Sequence, residues 1–316
     1  MGSLLASLPS LRCLYYTTNV TQVIDNTVGR YTDDVEIDEA GSPTAASEFP
    51  GYREAASKIT GIYLVSQAEW LSRLLLPHFS SPLKTLAMGD DVWLDGDNPL
   101  SRLSSQTPNL QELLLGHPLA SSSDLEQACK TWGSSLRILA VRSIEEISEW
   151  VASIMPYMTA LTEVELGSGC TCTSRDIEGI ARSTSPLRHI KILDIESQED
   201  GTADDATNTA LADLITAHSS RLEHLELDYI GIGPSLLRSC RKAKRLKSLD
   251  FRLSYTPSAH EIDSLLEECP ELCDIPDRLK RFSLRKEEWG ERIAANIERI
   301  RLEDTAVEGL GSHDDN

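Results

Sequence analysis

The chain has 316 residues, 40% of them apolar, and a formal net charge of −20. That content sustains a large buried core, while the acidic balance opposes attraction to nucleic-acid phosphates or an anionic membrane surface and favours protein partners with basic surfaces. No run of 18 or more apolar residues occurs, and the opening MGSLLASLPSLR lacks a basic start and a sustained apolar stretch, so a monomer inside the cell, in cytoplasm or nucleus, is expected.

From the N-terminus onward one phrase recurs: a leucine, two variable residues, an apolar residue, one variable residue and a second apolar residue. Leu11, Leu14 and Tyr16 form its first copy, and Asn19 follows. Between this copy and the next, Asp25 to Glu54 holds eight acids against two arginines, which predicts a degenerate repeat and a solvated acidic insertion over 25–57, disordered around Glu36 to Phe49. The phrase then returns at Ile59, Leu83, Leu110, Leu136, Leu161, Leu187, Leu222 and Leu246, at spacings of 24, 27, 26, 25, 26, 35 and 24. A fixed period of this length predicts a repeat array in which each unit buries its apolar face against its neighbours. The spacing of 35 comes from Gln198 to Thr207, an acidic, small-residue insertion expected to bulge from one rim as a loop.

Helices are predicted between the phrases. Ser66 with Glu69, Ser123 with Glu126, Ser143 with Glu146 and Ser258 with Glu261 have the spacing in which a serine side chain satisfies an orphan N–H and a glutamate reaches back. Amphipathic runs follow, as in Ile144, Ile147, Val151 and Ile154. Pro9, Pro82, Pro108 and Pro186 stand just before phrases, where proline ends an incoming helix. Alternating strand and helix predicts a parallel sheet covered by helices on one side. Near the C-terminus, phrases at Leu272 and Leu279 compete for the last strand. A capping helix is expected over 286–303 and a frayed tail over 304–316.

The phrase and its period resemble the leucine-rich-repeat family over 1–285. The resemblance implies an α/β solenoid of about nine or ten repeats, with the phrases on the concave side and helices on the convex side. The family's asparagine after each phrase is matched only by Asn19; Asp91 or Gly169 stands at that place elsewhere. The irregular repeats are similar to those of F-box proteins, especially fungal ones, where the array holds a substrate for a ubiquitin ligase. No F-box-like segment precedes the repeats, so a fragment of a longer protein is expected. The Ran-GTPase activators are a second resemblance, and they imply a regulator of a small GTPase.

Taking the third, fifth and seventh residues of each phrase as concave-facing gives two zones. Tyr15, Tyr63, Val65, Leu114 and Ile138 make an apolar one; Glu163, Glu165, His189, Lys191, His224, Glu226, Asp228, Asp250 and Arg252 make a charged one. Apolar anchors beside steering charges suit a protein partner. The carboxylates read as a solvated charged face rather than an acid–base pair. The run Arg238, Arg241, Lys242, Lys244, Arg245 and Lys247 has no interleaved aromatic residue to stack a base, so it reads as charge on a solvated helix and turn.

No catalytic residue, cofactor or metal is expected. The histidines are scattered through the sequence, and none has nucleophile or metal-ligand spacing. Gly231 and Gly233 lack the lysine of a phosphate loop and read as a local turn. Cys13, Cys129, Cys170, Cys172, Cys240, Cys269 and Cys273 are odd in number and contain no C-x-x-C pair, so mostly buried thiols are predicted.

Overall fold

Each phrase becomes a strand because its variable and apolar residues alternate, so that one set turns to the core while the other faces out. The computed structural model describes residues 13–16, 21–24, 57–64, 82–89, 98–116, 121–143, 149–196 and 201–275. The strands are β1 (Cys13–Tyr16), β2 (Thr21–Ile24), β3 (Gly61–Leu64), β4 (Thr85–Met88), β5 (Glu112–Leu115), β6 (Ile138–Ser143), β7 (Glu163–Gly169), β8 (His189–Ile192), β9 (His224–Ile232) and β10 (Ser248–Leu253). They form one sheet in the order β10-β9-β8-β7-β6-β5-β4-β3-β1-β2. Neighbours pair parallel except β1 with β2, which are antiparallel, so the sheet is not wholly parallel.

From β3 to β10 the register keeps equivalent phrase positions side by side, for example Leu113 with Leu139 and Val164 with Ile190. The first, fourth and sixth residues of the phrases build one continuous buried core, from Ile59 through Leu136 to Phe251. A fully buried leucine contributes roughly 1.5–3 kcal/mol of burial energy, so the repeat itself carries the fold.

Helices α1 (Pro99–Gln106), α2 (Ser122–Trp132), α3 (Trp150–Ile154), α4 (Ser174–Arg182), α5 (Asp205–His218), α6 (Pro234–Cys240) and α7 (Ala259–Glu268) alternate with the strands. Adjacent strands lie about 4.8 Å apart but packed helices need about 8–10 Å, so the helices take the outer, convex side and the strands the concave one. The fold is an α/β leucine-rich-repeat solenoid.

One helix start departs from the sequence expectation. Ser258 and Glu261 do form a reciprocal cap on α7. Ser123 does not begin α2: Ser121 accepts the N–H of Asp124 instead. Ser143 ends β6, and α3 starts at Trp150. Ser66 with Glu69, and Ile144, Ile147 and Glu146, lie outside the described residues. Thr173 and Asp176 make a reciprocal cap in which an aspartate takes the place of the glutamate.

The insertion from Gln198 to Thr207 is not only a loop. Thr202 bridges Gly231, the N–H of Ala203 donates to the Gly231 carbonyl, and Asp204 caps α5 through the N–H of Thr207. Gly231 therefore sits at a strand end rather than in a turn, and Gly233 is the N-cap of α6. Asp274 adds a single parallel bridge to Ser248, with Leu272 and Ile275 buried, which places the Leu272 phrase beyond β10. The Leu279 phrase, the expected cap over 286–303, the tail, Asn19 and the acidic stretch over 25–56 lie outside the described residues.

Candidate functional site

On the concave side, in-register pairing stacks the fifth phrase positions into a row: Tyr63, Ala87, Leu114, Ala140, Glu165, Lys191, Glu226 and Asp250. The row changes from apolar to charged between Ala140 and Glu165. Tyr15 stands in register with Tyr63 at the other end. Beside it runs the row of third positions, in which Ile138, Glu163, His189, His224 and Ser248 follow one another. The seventh positions do not continue the pattern. Register slips after Phe251, so Arg252 faces Gly231 and not Asp228, and Val65 lies outside the described residues.

The apolar half forms a shallow groove of about 210 Å³ lined by Tyr63, Ala87, Leu114 and Ala140, with Arg142 and Glu165 at its charged end. Partial burial raises the Tyr63 phenol above its ordinary pKa, the Glu112 carboxylate adds to this, and a hydrogen bond with Thr85 opposes it. Thr85 in turn donates its hydroxyl to Glu112 at 3.0 Å, so the polar groups bordering the groove are held in place. Ala87, Ala140 and Arg142 were not among the expected site residues; they occupy the same positions in their phrases as those that were.

The charged half is internally paired. Lys191 Nζ lies 3.6 Å from Glu165 and 3.4 Å from Glu226, bridging three strands. His189 Nδ1 lies 3.4 Å from Glu163, and the rings of His189 and His224 meet edge to face with centroids 4.3 Å apart. Beneath them Glu223 is nearly buried and receives Lys247 at 2.9 Å, Arg245 at 3.4 Å and Arg188 at 3.8 Å. Burial pushes the Glu223 carboxyl up, but these three cations outweigh it and hold the group below its ordinary pKa. His224 is lowered by burial first and by neighbouring His189 second.

The expectation that the histidines are scattered is therefore corrected. His189 and His224 are 35 residues apart in sequence, yet both stand at the third position of consecutive phrases. With Glu223 they offer ligand atoms that all lie within 4.8 Å of one another. Of the basic run, Arg241 and Lys244 pair with Glu268, Lys242 reaches Thr216, and Arg245 and Lys247 turn to Glu223. Lining up the second phrase positions would have exposed the Glu223 cluster.

Cys129, Cys170, Cys172, Cys240 and Cys269 are buried, Cys13 and Cys273 are half-buried, and none is joined in a disulfide. Burial pushes Cys170 up to about 12 and Cys129, Cys172 and Cys240 upward as well, which leaves them protonated. His218 is buried with Nε2 3.0 Å from the Ile180 carbonyl oxygen, a core contact on the helical side. Among the described residues no helix is long and apolar enough to cross a membrane.

Neither protein-family models nor the curated proteins give a match. Among solved structures the chain is similar to an internalin from Listeria monocytogenes, at 16% identity and a TM-score of 0.41, over 71% of this chain and 56% of that one. The match thus spans just over half the length of that protein.

Proposed function

We propose that the chain is a non-catalytic scaffold that binds a protein partner on its concave face. The observation that carries this reading is the apolar groove at Tyr63, Ala87, Leu114 and Ala140, continuous at Glu165 with a row of paired charges. Tyr63, Ala87 and Leu114, half-buried on the concave face beside the buried Ala140, are natural anchor points. The adjoining carboxylates Glu163, Glu165, Glu226 and Asp250 favour a partner whose flanking residues are basic. In this reading Tyr15, Val65, Ile138, His189, Lys191, His224, Asp228 and Arg252 complete the contact face.

The irregular phrases, similar to those of F-box proteins, support a finer reading as the substrate-holding part of a ubiquitin-ligase component. Affinity purification of the full chain with mass spectrometry tests the first reading. One dominant partner is expected, and it is lost when Tyr63→Asp and Leu114→Asp are combined while thermal unfolding stays that of a folded protein. Retention of the partner by this variant overturns the assigned face. Co-purification of cullin-ligase adaptors supports the finer reading, whereas stimulation of a small GTPase at catalytic concentrations replaces the scaffold with a regulator.

A further inference from the structure

We propose that His189, His224 and Glu223 form a site for a borderline divalent transition-metal ion of the nickel or zinc type. The geometry begins with register: His189 and His224 are direct partners on the parallel strands β8 and β9, and Glu223 precedes His224. Their ligand atoms lie within 4.8 Å of one another. Two nitrogens bound to one ion at about 2.0–2.1 Å stand roughly 3–3.5 Å apart, so modest side-chain rotations close the set. Both imidazoles are only half-buried.

The donor set fixes the class of ion. Two imidazoles and one carboxylate suit nickel, zinc or copper, whereas calcium and magnesium require oxygen donors throughout. Glu163, 3.4 Å from His189 Nδ1, is placed as a positioning residue: a carboxylate beside Nδ1 favours its proton there and leaves Nε2 to coordinate.

The three cations around Glu223 compete with an incoming ion for its carboxylate. Arg188 is the most distant of them, at 3.8 Å, and its side chain is 54% exposed, which lets it swing into solvent as the ion enters. Three protein ligands leave coordination positions open to water or to a partner side chain.

The test is calorimetric titration of the chelator-stripped full chain with nickel chloride. One saturable equivalent is expected. His189→Gln and His224→Gln each weaken it at least tenfold, by about 10–100-fold, and Glu163→Gln weakens it less. Cobalt loading gives a visible spectrum without thiolate charge-transfer absorption, which separates this site from the seven cysteines. Should a variant fail to fold, nickel-induced broadening in the NMR spectrum of the unaltered chain gives a second readout: two histidine resonances broaden before the other five. No saturable binding, binding unchanged in both histidine variants, a thiolate band, or broadening that spares any such pair overturns the proposal.

Discussion

The Asp124 carboxylate accepts the backbone N–H of Leu100 at 2.8 Å, so an acid in α2 caps the helix of the preceding repeat. Its other oxygen takes the N–H and the hydroxyl of Ser101. Asp176 does the same for α3 through the N–H of Ala152 at 3.1 Å. Helix N-termini carry orphan donors and partial positive charge, so a buried carboxylate there is matched to its surroundings. Asp124→Ala strands two backbone donors of α1 and is expected to cost about 2–3 kcal/mol, with Asp124→Asn costing less. Urea unfolding measures both. A loss below about 0.5 kcal/mol in the alanine variant contradicts a capping role.

Gly133 follows α2 at φ −56, a backbone open to any residue; space, rather than conformation, demands glycine there. A Cβ would lie 2.1 Å from the Tyr157 carbonyl oxygen of the next repeat. Gly133→Ala is therefore expected to destabilise by about 1–3 kcal/mol through displaced backbone, lowering the urea midpoint with little change in slope. Gly201 has φ +74 and open space around it, so Gly201→Ala should cost about 1 kcal/mol from backbone strain alone.

His218 gives stability a pH dependence. Burial lowers its pKa, the hydrogen bond with the Ile180 carbonyl opposes this, and Arg221 lowers it further. The unfolded chain then binds a proton more readily than the folded one, so stability is fully present above the unfolded value near 6.5 and is lost as pH falls through it toward the lower folded value. The melting temperature should fall from about pH 7 to about pH 5. His218→Gln should flatten part of that slope and leave the share due to His224, whose pKa is lowered in the same sense. A slope unchanged in the variant assigns the dependence to other groups.

The repeat was legible because its signal is local. Alternation turns Leu110, Leu113 and Leu115 inward, and a constant period makes each phrase the partner of the next, so strands, core and the concave identity of Tyr63 and Leu114 follow from spacing. What spacing alone left undecided lies between repeats. A proline-flanked helix start such as that of α1 does not reveal that Asp124, 24 residues later, supplies its cap. Scattered histidines do not announce a pair until register sets His189 against His224, and the slip after Phe251 that parts Arg252 from Asp228 leaves no mark on the period. Repeat chemistry fixed where the strands run. Only packing across repeats, where one unit's orphan donors and charges meet the next unit's side chains, decided what those strands bring together.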